Sequence, residues 1–146
     1  GQVATFDGVL RLAPDGEPEI YLTAVTPVGY LLNPIQPLSM PTRGIGGGAW
    51  GSYIPAVDGG YRLHSVGLLV RTWGRVLSRD AVGMRMRIDD GSGSPTGGLL
   101  VDTTLYGAPP AVGAHVAVTG DLGVTLSGST RIPILRVRQV ADVVVY

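Results

Sequence analysis

VGLLVRTWGRVL, residues 66–77, is the stretch whose reading decides the fold. Val66, Leu68, Val70 and Val76 fall on one face, and Leu69, Arg71, Trp73, Arg75 and Leu77 on the other. A period of two is that of a β-strand with one buried side. Gly74 lets a long strand bend sharply. Downstream the pattern repeats in shorter runs. Met84, Met86 and Ile88 point inward on a second strand, with Arg85 and Arg87 outward, and Asp89-Asp90-Gly91-Ser92-Gly93 reads as a turn. Leu99–Thr103 is a third strand. Val116 and Val118 lie on a fourth, ending at Gly120. Ile132–Val137 is a fifth, and Val143–Tyr146 extends it or pairs elsewhere. No stretch keeps a helical period over three turns, so almost no helix is expected.

Upstream, residues 1–33 read as an amino-terminal β-arm of three strands. Ala4, Phe6, Gly8, Leu10 and Leu12 share one face of the first, with Thr5, Asp7 and Arg11 on the other. Pro14-Asp15-Gly16 signals a turn. Glu19–Val25 and Gly29–Leu32 follow, separated by Thr26-Pro27. Residues 34–61 carry Pro34, Pro37, Pro41, Pro55 and the run Gly46-Gly47-Gly48, which break regular structure. They also carry Ile35, Leu38, Met40, Ile45, Trp50, Tyr53 and Ile54. So many large apolar groups argue for an ordered, extended segment lying on a surface, its own or a neighbour's.

The chain is 45% apolar and only 15% charged, with zero net charge. A typical domain is about a quarter charged, so this surface suits burial against other subunits. Zero net charge provides no whole-molecule field to attract nucleic acid or acidic membranes. All eleven basic residues are Arg, as codon bias would produce, although Arg forks also serve interfacial pairing better than Lys. Without cysteine there is no disulfide, thiolate metal site or thiol nucleophile. No apolar run reaches the roughly eighteen residues that span a bilayer. A first residue of Gly rather than Met points to a removed targeting segment or to a fragment; removal is the preferred reading, and it implies an extracellular or cell-surface location.

The order LLVRTWGRV, MRIDDGSG, GLLVD, HVAVTGDLG, ILRVRQVADVVVY resembles secreted bacterial OB-fold modules of exported and surface proteins. The resemblance covers residues 63–146, with a weaker echo in Pro37–Trp50, and its most specific piece is the turn Ile88–Gly93. It implies an all-β fold: a five-stranded OB-type β-barrel over residues 62–146, preceded by the extended β-arm. It implies no reaction, because this fold hosts many unrelated functions. One departure stands out. The helix usual between the third and fourth strands has no room here, because Tyr106–Gly113 contains two consecutive prolines. Something else must then cover the apolar opening of the barrel.

Candidate chemistry is sparse. His64 and His115 belong to no catalytic or metal motif, and Gly46–Gly48 precedes no helix that would make it a phosphate cradle. No enzyme activity, metal or cofactor is expected. Asp89, Asp90 and Asp102 could gather near one turn as oxygen ligands for calcium, but they lack the spacing of a calcium loop. Arg71, Trp73, Arg75, Arg85 and Arg87 form a possible ligand face. An aromatic among arginines suits a single-stranded nucleic acid, and Trp73, Tyr106 or Trp50 could stack on a glycan. Zero net charge argues against nucleic acid, and Arg71 and Arg75 could simply pair with Asp89 or Asp102.

The arm points elsewhere. A strand with a clean apolar face at the start of the chain is an exposed-edge liability unless paired. Ala4, Phe6, Gly8, Leu10 and Leu12 resemble the donor strands of extracellular fibre subunits in pattern, with Gly8 marking a close approach. Inserted into a neighbouring copy, such a strand gives head-to-tail contacts that propagate as a filament. The expected function is therefore a structural subunit of an extracellular fibre or surface assembly, a homopolymer with possible O-linked glycans on Thr103, Thr104, Thr125, Ser127, Ser129 or Thr130. The alternative is a ligand-binding OB module of a larger exported protein.

Overall fold

The computed structural model describes residues 2–14, 17–49, 56–60, 63–94 and 96–146. Trp50, Tyr53, Ile54, Pro55 and part of the Pro14-Asp15-Gly16 turn lie outside the described residues. The chain is all-β and divides into two compact units, Gly1–Gln36 and Pro37–Tyr146.

The first unit is a two-stranded antiparallel ribbon of β1 (Gln2–Leu12) and β2 (Pro18–Tyr30). The three strands expected in residues 1–33 are thus two, because Thr26-Pro27 does not interrupt the second. In a two-stranded sheet each strand has one open edge, where a missing N–H costs no ladder bond, and Pro27 pairs opposite Ala4. The register shifts twice, between Val3 and Ala4 and between Asp7 and Gly8. At the second shift Asp7 faces Ala24 while Gly8 faces Leu22, so Thr23 is the extra residue of a bulge. The Thr23 hydroxyl donates to the Asp7 carbonyl at 3.1 Å.

The bulge decides which side chains share a face. Without it, Leu22 and Val25 would point to opposite sides of β2. With it, Val25 lies opposite Phe6, Leu22 opposite Gly8, and Ile20 opposite Leu10. One face of the ribbon therefore carries Ala4, Phe6, Gly8, Leu10 and Leu12 beside Pro18, Ile20, Leu22, Val25 and Pro27, with no polar group among them. The other carries Thr5, Asp7, Val9 and Arg11 beside Glu19, Tyr21, Ala24 and Thr26. There the Arg11 guanidinium bonds Glu19 at 2.6 Å and lies 4.5 Å from the centre of the Tyr21 ring. Gly8 does sit at a close approach, but to β2: a Cβ there would meet Ile20 and the Tyr21 carbonyl at 2.6 Å.

The second unit holds β3 (Leu38–Ser39), β4 (Leu69–Asp80), β5 (Arg85–Asp89), β6 (Leu99–Asp102), β7 (His115–Ser127), β8 (Thr130–Arg136) and β9 (Val143–Val145). Five of these pair in a closed cycle. β4–β5, β5–β6, β8–β7 and β7–β4 are antiparallel, and β6–β8 is parallel. β3 adds to β4 in parallel, and β9 adds to β7. Inward alternation fills the interior with Val70 and Val76, Met86 and Ile88, Leu99 and Val101, Val116 and Val118, Leu122 and Leu135, all essentially inaccessible to solvent.

Glycines mark where strands change partners. β4 passes from β7 to β5 near Gly74, where a Cβ would lie 2.7–2.9 Å from Asp89 backbone atoms. β7 passes from β4 to β8 near Gly120, where a Cβ would strike the Arg136 carbonyl oxygen. Gly120 is thus a crossing point, not the end of the strand expected from sequence; β7 continues to Ser127. Two further expectations are corrected. Val66 and Leu68 precede β4 and are not in the core. Met84 precedes β5 at φ 49°, in the turn from Asp80, and is only half-buried.

No helix forms between β6 and β7. Tyr106 and Ala114, both from that connection, pack on the core, and Thr103 ties the connection down by bonding the Met84 and Gly107 carbonyls at 2.9 Å. The Pro/Gly-rich segment also packs on its own chain: Ile45 joins the core, Met40 packs against it, and the Asp58 N–H donates to the Arg131 carbonyl at 2.9 Å.

Candidate functional site

The outer face of β4 and β7 forms a groove of about 720 Å³. Alternation places Arg71, Trp73 and Arg75 on this face of β4, because Val70, Thr72, Gly74 and Val76 are buried on the other. Pairing then sets Thr119, Ala117 and His115 of β7 opposite the three in turn. Leu77 and Tyr146 complete the apolar part of the lining, and Asp89, at the end of β5, with Asp90 and Gly91 of the following turn forms a rim. Trp73 is half exposed and Tyr146 largely so.

Two devices hold these walls. Arg138 grips the buried Asp142 carboxylate with a fork, Nε to Oδ2 and Nη2 to Oδ1, both 3.1 Å. A planar bidentate pair of this kind fixes geometry. It closes the turn before β9, and the Tyr146 N–H then donates to the His115 carbonyl at 2.9 Å, bringing Tyr146 to the groove. The second device is a clasp on the acidic turn. Thr42 is buried; its hydroxyl lies 2.6 Å from Asp90 Oδ1 and 3.1 Å from Asp89 Oδ1, and its N–H donates to Asp90 Oδ2 at 3.2 Å. Ser92 N–H donates to Asp90 Oδ1 at 2.9 Å, and Arg43 N–H to Ser92 Oγ at 3.2 Å. Partial burial acts to raise the Asp90 pKa, but the hydrogen bonds from Ser92 and Thr42 outweigh it and hold the carboxyl down to about 2.

The five residues of the sequence-derived ligand face do not converge. Arg71, Trp73 and Arg75 line the groove; Arg85 and Arg87 line a separate depression with Ser78, Arg79 and Asp80. Arg87 is engaged there, donating to the Thr96 and Gly98 carbonyls at 3.2 and 3.1 Å. Among the described residues, neither Arg71 nor Arg75 makes a side-chain hydrogen bond or ion pair with Asp89, Asp102 or any other group. Asp102 instead caps Thr104, accepting from its N–H at 2.9 Å and its hydroxyl at 2.6 Å. No group of three or more His, Asp or Glu among the described residues could hold a metal ion. Tyr106 is half-buried and packs against the core, away from the residues that line the groove. Of the hydroxyls considered for sugar attachment, Thr103 is buried, while Thr104, Ser127, Ser129 and Thr130 are exposed.

Sequence reasoning missed Thr42, Tyr146 and the groove-side role of His115. The pairing of β9 with β7 places the last two, and a contact across 48 residues places the first. Ala4, Phe6, Gly8, Leu10 and Leu12, expected from sequence to lie at a subunit interface, are gathered on the apolar face of the ribbon, where Phe6, Leu10 and Leu12 are 53%, 72% and 67% exposed.

Among known proteins, no family model, curated protein or solved structure matches this chain.

Proposed function

We propose that this protein is a non-catalytic structural subunit of an extracellular fibre or surface assembly, in which a five-stranded OB-type barrel is the body and the amino-terminal ribbon the connector. The closed cycle of pairings, with its one parallel contact between β6 and β8, supports the barrel reading. The extracellular setting rests on the resemblance of residues 63–146 to secreted modules.

One observation carries the connector: the ribbon's bulged register collects ten residues without a polar side chain on a single face, and the large ones are about half exposed or more. A two-stranded ribbon is marginal in water by itself, and exposed apolar faces of this extent mark interaction surfaces. Because β2 already pairs with β1 along its length, the connector enters a neighbouring copy as a ribbon rather than as a lone strand. Its open edges and apolar face then both find partners, and a head-to-tail contact of this kind propagates.

The test separates the two faces. Phe6→Ser and Leu10→Ser strike the apolar face; Thr5→Ala and Thr26→Ala strike the other. Burial of each large side chain contributes about 1.5–3 kcal/mol, so the first pair should raise the concentration needed for assembly at least about tenfold each. The second pair should leave it unchanged. Sedimentation and negative-stain micrographs read the outcome. A parent chain that stays monomeric at high concentration would sink the reading.

A further inference from the structure

We infer that the groove across β4 and β7 binds an acidic carbohydrate, a short run of sugars bearing carboxylates. This is a binding function distinct from assembly, and the groove belongs to the second unit alone, so it stands or falls independently of the ribbon.

Four observations converge on that chemistry. First, about 720 Å³ is within the range of small-ligand sites, roughly 300–1,000 Å³. Second, the groove offers two exposed aromatic rings, Trp73 and Tyr146, beside Ala117 and Leu77. Rings that present a flat apolar face with a polar tip suit a ligand with one apolar and one hydroxylated aspect. Third, Arg71 and Arg75 flank Trp73 on the same face of one strand, each about 7 Å along from it. Neither has a carboxylate partner among the described residues, although both lie beside the acidic turn. A guanidinium fork is matched to a carboxylate, so the two cations are available for carboxylates borne by a ligand stacked on Trp73.

Fourth, the rim discriminates among anions. Asp89 and Asp90 stand on it, and the hydrogen bonds around Asp90 keep that carboxylate charged. Asp90 is consumed by Thr42 and Ser92, whereas among the described residues Asp89 accepts through Oδ1 alone, leaving Oδ2 to accept a hydroxyl. A ligand rich in hydroxyls with spaced carboxylates meets both signs of charge. A nucleic-acid backbone, with few free hydroxyls to bond the rim carboxylates, meets repulsion there without that compensation. The chain's zero net charge adds no long-range attraction to compensate.

The experiment uses the full chain and three probes: tetragalacturonate, neutral maltotetraose and octathymidylate. Titration calorimetry should show tetragalacturonate binding at least about tenfold tighter than maltotetraose. Trp73→Ala should weaken tetragalacturonate by about tenfold or more. Arg71→Gln and Arg75→Gln should erase most of the preference for the acidic probe, and Arg85→Gln should leave it intact. Should a variant fail to fold, the indole N–H resonance of Trp73 in the parent chain decides: it should shift with tetragalacturonate. No shift at millimolar tetragalacturonate overturns the proposal. So does octathymidylate binding tighter than the uronate, or an equal loss on Arg85→Gln.

Discussion

The ribbon and the ring are built from the same alternation and end in opposite states. In the ring each of the five strands finds at least two partners, and the inward-facing apolar residues of β4 to β8 lie beyond the reach of water. In the ribbon each strand has one partner, and an apolar face just as continuous is left about half exposed or more. Alternation states which side of a strand wants burial. Closure of the pairing cycle determines whether the chain can supply that burial itself. The difference between the units is thus one of partner number, and it can be broken or sharpened by making the same kind of change in each.

The largest contrast comes from truncating one apolar residue in each unit. Ile88 is fully buried in the ring, so Ile88→Ala should cost about 2–5 kcal/mol of unfolding free energy. Leu10→Ala in the ribbon should cost the dilute monomer less than about 0.5 kcal/mol, because little is buried to lose. Urea denaturation followed by far-ultraviolet circular dichroism, which reports the strands of both units, measures both. Equal losses would mean that the ribbon's apolar face is already covered within the monomer, and the contrast would collapse.

A second pair uses glycine. A Cβ at Gly74 would strike Asp89 backbone atoms at 2.7–2.9 Å, and one at Gly8 would strike Ile20 and the Tyr21 carbonyl at 2.6 Å. The steric insult is alike in both. Gly74→Ala should destabilise the second unit by about 1–3 kcal/mol, since backbone cannot move aside cheaply in a closed cycle. Gly8→Ala should leave the thermal transition of that unit in place and instead weaken assembly. Calorimetry alongside sedimentation distinguishes the two results.

A smaller effect is expected at the clasp. Thr42→Ala removes the hydroxyl that holds Asp90 and Asp89 and should cost about 1–3 kcal/mol. It should also change the acid limb of stability. The Asp90 carboxyl sits at about 2 in the folded protein against 3.8 ordinarily. A depressed folded value means that its contribution is fully present above pH 3.8 and is lost as pH falls toward 2. Without the Thr42 hydroxyl that window narrows. Urea midpoints measured at several acidic pH values in the parent and the variant should converge as pH drops.

These contrasts also show what was legible in sequence. The inner face of β4 could be read at Val70 and Val76 because a buried strand writes its period directly. So could the shared face of Arg71, Trp73 and Arg75, and the missing helix at Tyr106–Gly113. Glu19–Val25 read as a strand, but the full length and single apolar face of β2 could not be read, because that face is continuous only through the bulge at Thr23, and register depends on the partner. Gly120 looked like a terminus because a glycine that ends a strand and one that lets another strand cross are identical in sequence. Arg85 and Arg87 matched the pattern of the groove residues, yet strand order sends them to another wall, where Arg87 holds loop carbonyls. The clasp joins Thr42 to Asp90 across 48 residues, a separation at which no local pattern speaks.

The smallest expected effect lies on the ribbon's polar face. Arg11 bonds Glu19 at 2.6 Å and lies over Tyr21, the most conspicuous polar contacts in the first unit. Both partners of the ion pair are about half exposed, so water and salt screen it, and Arg11→Gln should change stability by less than about 1 kcal/mol. If the apolar face is the connector, the same substitution should leave the assembly threshold where it was. A large shift on Arg11→Gln, seen by sedimentation at matched ionic strength, would mean that subunits meet through the charged side of the ribbon. The uncovered face of Phe6, Leu10 and Val25 would then need a different occupant.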